Sequence, residues 1–338
     1  MATSISYPFS ERSPRTSQHF PIFGKLHLLF LAGLVIFPQL SLAQWNATIG
    51  AQSDDLGRQA LAFLPNEIWI HAGESITWTM AANEAHTVTF LTSGQIRPPF
   101  TFECPGFTAG FATFDGSACA TSGLLFQGDK FTVVFPVAGN FKLVCLVHSD
   151  MTGTIHVLDS SQSLPHDQAF YDRETQRESV DLLRVEVARV MNHHHLENSV
   201  TAGHGETVAT GGGSDSLSVM RFSDPGITVH AGETIEWTND DPTTAHTITF
   251  GPEPQDLVDP SSNVTVDADG ARHGVLNSPS DAVHSGFIEA APQDRTGLAQ
   301  APSGVTRFRV TFSKPGIYPY ICSLHDVLGM KGSVVVLP

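Results

Sequence analysis

Two short stretches gather soft metal ligands. Tyr320–Val334 reads YICSLHDVLGMKGSV and sets a thiolate, an imidazole and a thioether close together, at Cys322, His325 and Met330. Leu143–Ile155, LVCLVHSDMTGTI, repeats the device with Cys145, His148 and Met151. Each copy has an upstream histidine in a matching context: His86 in AHTVTF (85–90) and His246 in AHTITF (245–250). The spacings are Cys-x2-His-x2-Met in the first copy and Cys-x2-His-x4-Met in the second. Thiolate is a soft, covalent copper ligand, imidazole suits copper in either oxidation state, and a thioether completes the site weakly. Such a set needs little rearrangement between Cu(I) and Cu(II). The chain carries it twice, so two copper ions are expected, one per copy.

Ligands this close in sequence need rigid elements to aim them, and the chain supplies those in duplicate. IWIHAGESITW (68–78) matches ITVHAGETIEW (227–237), and the upstream histidines, cysteines, downstream histidines and methionines follow in the same order. A repeat of this kind is one structural unit used twice. The first unit offers short alternating strands at Ser75–Met80, Thr87–Leu91, Lys130–Phe135, Asn140–Leu146 and Gly153–Leu158. The second offers Leu217–Phe222, Gly226–His230, Thr234–Asn239, Thr247–Phe250, Arg307–Phe312, Ile317–Cys322 and Ser333–Leu337. Phe308, Val310 and Phe312 alternate with Arg307, Arg309 and Thr311, which reads as one buried and one wetted face. Trp78 and Trp237 read as core. Closely spaced strands with turn signals predict antiparallel β-sandwiches. Thr92–Gly123 and Gly251–Ser303 read as long loops. Between the units, Asp172–Met191 places Val180, Leu183, Val187 and Val190 or Met191 at helical spacing. His193-His194-His195 and a Gly-rich, flexible-looking segment follow. The expected division is a signal over 1–43, a first domain over 44–159, a linker with an amphipathic helix over 160–214 and a second domain over 215–338.

Both units resemble cupredoxins, the small blue-copper electron carriers. The first ligand loop is similar in length to that of amicyanin, the second to those of plastocyanin and pseudoazurin. The resemblance implies an all-β chain of two tandem antiparallel Greek-key β-sandwiches joined by the helical linker. It implies one type 1 site at His86, Cys145, His148 and Met151, and another at His246, Cys322, His325 and Met330. In the family the downstream histidine lies near the surface in an apolar patch and serves as the electron port; here that places His148 and His325 at the surface beside Val147 and Leu324. Two departures stand out. Thr87 and Thr247 follow the first histidine where many members have Asn, and Val147 and Leu324 precede the second where many have Pro.

With 338 residues, 41% hydrophobic and 15% charged, the chain is long enough for two ordinary domains, each with its own core. The net charge of −16 speaks against nucleic acid and anionic lipid as partners and suits solubility, or a basic redox partner protein. Residues Leu26–Phe37 form an apolar run after Lys25, with Ser41-Leu42-Ala43 as small cleavage residues. This reads as an export signal, too short and interrupted for a comfortable membrane span, with a retained anchor as the alternative. No other stretch is long enough to span. The expected location is therefore periplasmic or extracellular. Of four cysteines, Cys104 and Cys119 lie outside the metal-type motifs in one Gly- and Phe-rich loop. A disulfide suits an exported protein; two free thiols and an unrelated metal pair are the alternatives.

Three functions compete: an electron-transfer protein, a two-domain multicopper oxidase or copper nitrite reductase, and a copper storage or delivery protein. The enzyme families place His beside the blue-copper cysteine. Here the neighbours are Val144 and Leu146, and Ile321 and Ser323, and no His-x-His pattern accompanies them. That favours an electron carrier without catalytic residues.

Overall fold

The computed structural model describes residues 43–98, 104, 110–184, 198–209, 214–290 and 305–338. The export signal expected over 1–43 and the triple histidine at 193–195 lie outside these, apart from Ala43. No helix among the described residues is long and apolar enough to cross a membrane.

The first unit contains β1 (Gln44–Gln52), β2 (Arg58–Leu64), β3 (Glu67–His71), β4 (Ser75–Met80), β5 (Thr89–Phe90), β6 (Phe111–Thr113), β7 (Ala120–Thr121), β8 (Lys130–Val134), β9 (Gly139–Val144) and β10 (Thr152–Leu158). They form two layers, β2-β1-β4-β8-β6 and β3-β10-β9-β5-β7. After a helix, α1 (Gln168–Leu183), come β11 (Ser199–Ala209), β12 (Ser214–Phe222), β13 (Gly226–His230), β14 (Thr234–Asn239), β15 (Thr249–Phe250), β16 (Thr265–Val266), β17 (Arg272–Leu276), β18 (Val283–His284), β19 (Arg307–Phe312), β20 (Gly316–Ile321) and β21 (Lys331–Leu337). Their layers, β12-β11-β14-β19-β17-β16 and β13-β21-β20-β15-β18, repeat the plan of the first unit. The chain is thus all-β with two sandwiches. Antiparallel pairing is not uniform: β1–β4, β3–β10 and β6–β8 pair in parallel, as do β11–β14, β13–β21 and β17–β19. Crossovers between the layers bring those strands side by side in the same direction.

The alternation read from sequence is what buries the cores. Phe308, Val310 and Phe312 point inward with Trp237 and Phe250, and Phe131, Val133 and Phe135 do so with Trp78 and Phe90. Both tryptophans are fully buried. Apolar burial of this size dominates the stability of each sandwich.

Two segments differ from the sequence reading. The supposed flexible tail of the linker contains β11, which pairs with β12 and, in parallel, with β14 of the second sandwich. Its glycines hid it, because Gly lowers strand propensity wherever it is not required. The helix begins earlier than expected, at Gln168, where the Asp167 side chain accepts from Phe170 N–H at 2.8 Å and caps the first turn. Its anchor is not the valine row: Val180 is 45% exposed, whereas Tyr171 is buried in the first core and bonds the backbone of Trp69. Positions 187–191 of that row lie outside the described residues. The long loops also hold short strands, β6 and β7 in one, β16 to β18 in the other. Cys104 and Cys119 form a disulfide.

The two sandwiches join edge to edge. β12 pairs with β2, Ser216 facing Leu61 and Val219 facing Arg58, and touches β10 at Thr152 and Ser214. Arg221 of the second unit donates to Asp55 O at 2.6 Å in the first and to Leu328 O at 2.7 Å in its own ligand loop.

Candidate metal centres

Each centre is assembled from the loop that closes β9 or β20 and the segment that precedes β5 or β15. Cys145 directly follows β9, Met151 directly precedes β10, and the Cys145 N–H donates to Met151 O at 3.0 Å. That bond ties the loop into a tight turn around His148. In the second centre the Cys322 N–H donates to Met330 O at 3.1 Å. The two extra residues there are absorbed by one 3-10 turn, Asp326–Leu328, which ends at Gly329 with φ +92°. His86 and His246 arrive on isolated bridges to Leu125 and Ile288.

The donor atoms converge. Cys145 Sγ lies 3.8 Å from His86 Nδ1 and 3.7 Å from His148 Nδ1, and the two Nδ1 atoms are 3.0 Å apart. In the second unit Cys322 Sγ lies 3.8 Å from His246 Nδ1 and 3.4 Å from His325 Nδ1, with 3.1 Å between nitrogens. All six residues are buried. One ion bonded at about 2.0 Å to nitrogen and about 2.3 Å to sulfur spans separations of this size. A buried thiolate with two imidazoles is a donor set that suits copper. The structure therefore brings together both His-Cys-His triads expected from sequence, and they fit two copper ions, one per domain. Met151 and Met330 are fully buried at the ends of the same loops.

The threonines that looked like departures brace the sulfur. Thr87 N–H points at Cys145 Sγ at 3.4 Å, and its Oγ1 accepts from Leu146 N–H at 2.8 Å. Thr247 repeats both contacts, to Cys322 Sγ at 3.3 Å and from Ser323 N–H at 2.7 Å. A side-chain hydroxyl thus locks the segment of the first histidine to that of the cysteine, the kind of outer support that orients metal ligands. Arg97 braces the first loop from outside, donating to His148 O at 2.8 Å, Ser149 O at 2.7 Å and Cys145 O.

Sequence reasoning missed four further neighbours. Gly50 and Gly203 sit at bulges in β1 and β11 with φ of +67° and +66°, and the backbone at each presses on the first histidine of its centre. Asp241 Oδ2 lies 3.8 Å from His246 Nε2. Glu84, just before His86, is buried with Oε1 3.4 Å from His148 Nε2 and Oε2 3.3 Å from His325 Nε2. Gly50 and Gly203 were readable only as glycines present in both copies. Glu84 left no such trace, since Thr244 takes its place in the second copy.

The electrostatics follow. Burial opposes ionising either thiol, but the surrounding imidazoles outweigh it and hold Cys145 and Cys322 well below the usual thiol range. Burial also opposes a charge on His148, yet Cys145 and Glu84 push it up to about 9, and His325 is raised by Glu84 and Cys322 in the same way. Glu84, despite burial, is held well below the usual carboxylate range by His325 and His148.

One expectation drawn from the resemblance fails. His148 and His325 are 1% and 2% exposed, so neither offers a surface port. The domain pairing turns both toward the shared Glu84 carboxylate rather than toward solvent.

A family model described as copper binding proteins, plastocyanin/azurin family, matches residues 51–158 and 206–337. Among solved structures, oxidised plastocyanin from Dryopteris crassirhizoma is 23% identical over 41% of this chain and 99% of its own, with a TM-score of 0.21. A purple cupredoxin from Nitrosopumilus maritimus is 22% identical over 42% and 100%, at 0.20. Reduced auracyanin from Roseiflexus castenholzii is 19% identical over 35% and 88%, at 0.21.

Proposed function

Because the chain belongs to the plastocyanin/azurin family of copper-binding proteins, we propose that it is an exported one-electron carrier with a type 1 copper centre in each domain. The observation that carries this reading is the pair of buried His-Cys-His triads with their sulfur and nitrogen donors converging. His86, Cys145 and His148 would hold one ion with Met151 as a further, weak donor; His246, Cys322 and His325 would hold the other with Met330. Copper so bound supplies exchange of one electron between Cu(I) and Cu(II). The protein contributes the rest. The imidazoles keep each cysteine as thiolate, Thr87 and Thr247 fix the sulfur through their backbone N–H groups, and the sandwich cores exclude water. Residues flanking each cysteine are not histidines, which supports a carrier over an oxidase or nitrite reductase. The apolar run at 26–37 and the Cys104–Cys119 disulfide support export to an oxidising compartment. The acidic surface suits a basic redox partner protein.

The test is copper stoichiometry with a visible spectrum on Cu(II)-loaded chain lacking residues 1–43. Two coppers and an intense band that bleaches on reduction and returns on oxidation are expected. Cys145→Ser and Cys322→Ser should each remove one centre's contribution and leave the other. Tightly bound but colourless copper would replace this reading with storage or delivery, and copper beyond two would restore the enzyme.

A further inference from the structure

The two centres share one carboxylate. In each triad the Nδ1 atoms of the histidines face the cysteine sulfur, so the Nε2 atoms of His148 and His325 face away from it. Both meet Glu84, each at a different oxygen, at 3.4 and 3.3 Å. Glu84 belongs to the first domain by sequence and contacts a ligand of the second by structure. It is 7% exposed, and both histidines are more deeply buried still. At such depth an unpaired carboxylate is costly, and it persists because two imidazoles face it. The edge pairing of β2 with β12 and the Arg221 bond to Asp55 O hold the two sides in register.

We propose that Glu84 couples the two copper centres into one electronic unit, acting as a positioning residue that joins His148 to His325 and as a shared negative charge felt by both. The inference rests on the two-centre reading above and deepens it. With copper held in both centres, one electron would pass from the ion at Cys145 to the ion at Cys322, or the reverse. One ion would be oxidised as the other is reduced, with no bond broken and no proton moved. The charge has a second consequence. A fixed anion favours the more positive, oxidised state of any nearby ion, so Glu84 lowers both reduction potentials at once. The buried downstream histidines thus serve as an internal junction instead of the surface port the family resemblance implies.

The experiment uses the copper-loaded chain with Glu84→Gln, which keeps the shape and removes the charge. Midpoint potentials are read by spectroelectrochemistry and assigned to each centre in Cys145→Ser and Cys322→Ser backgrounds. In the Cys145→Ser background, Glu84→Gln should raise the potential of the second-domain centre by about tenfold in its reduction equilibrium, about 59 mV for one electron. After an electron pulse into oxidised protein, re-equilibration between centres should slow by about tenfold or more. Glu84→Asp, which keeps the charge but is too short to meet both rings, should slow the transfer while shifting the potentials less. It also serves if the glutamine variant does not fold. Intact visible bands with an unchanged potential at the Cys322 centre and an unchanged transfer rate would overturn the bridge and leave the two-centre reading standing. Absence of two visible bands in the parent chain would overturn the two-centre reading and the bridge with it.

Discussion

Replacing Gly203 by Ala should abolish the second copper centre and spare the first. Gly203 lies at the β11 bulge with φ +66°, a conformation that costs an L side chain about 1–2 kcal/mol. The larger effect is steric. An added Cβ would stand 2.1 Å from His246 Nε2, 2.7 Å from Cδ2 and 3.0 Å from Cε1, where ordinary contact begins at 3.4 Å. The ring must retreat by about 1.3 Å, and a metal constellation tolerates about 0.5 Å of misplacement. His246 is fully buried, so the displacement falls on the metal side. The matching change in the first domain is an internal control. A Cβ on Gly50 would lie 3.3 Å from His86 Nε2 and 2.7 Å from Ala82 Cβ, so its main conflict is with the core and only a slight one with the ligand. Gly50→Ala should cost stability, about 2–4 kcal/mol from strain and overpacking, and keep its copper. Metal analysis and the visible spectrum decide: one copper for Gly203→Ala, two for Gly50→Ala. Two coppers and an unaltered spectrum in Gly203→Ala would refute the claim that the bulge glycine positions His246.

Three further outcomes are expected. Asp215 is pushed up to about 8, first by burial and then by Glu178, against an ordinary value of 3.8; the folded chain therefore keeps a proton that the unfolded chain loses. Stability should fall as pH rises between those values, by about 1.4 kcal/mol for each pH unit, and thermal unfolding of Asp215→Asn from pH 4 to 9 should lose most of that slope. Arg97→Ala strips charged donors from the carbonyls of Cys145, His148 and Ser149. It should weaken copper retention at the first centre alone, by about 1.5–3 kcal/mol in a chelator competition, and equal loss at both centres would contradict the assigned role. Cys104→Ser with Cys119→Ser opens a loop with a sequence separation of 15. It should destabilise the first domain by roughly 3 kcal/mol in a melt, with the second domain's transition unmoved.

The candidate ligands were legible because they are dense and duplicated. Cys145, His148 and Met151 lie in a few positions of one another, and the same letters recur at Cys322, His325 and Met330. The alternation of Phe308, Val310 and Phe312 fixed a strand face because side chains in a strand alternate with period two. The helix face was read less well. Val180 and Leu183 keep helical spacing, but Tyr171, outside the stretch read as helix, is the side chain the core accepts. β11 was invisible because the glycine its bulge requires is also the residue that marks a flexible linker.

Sequence by itself determined the two copper-type ligand sets, the repeat and the two sandwiches, since these depend on residue type and local period. The tertiary structure alone decided that the centres face each other. Glu84 is one carboxylate among many in an acidic chain, and nothing in its neighbours marks it as the partner of His325, far along the chain. That contact exists because β2 and β12 pair at their edges and turn both downstream histidines inward. Edge pairing between domains depends on backbone hydrogen bonds that nearly any residue can make, so the sequence leaves little record of it.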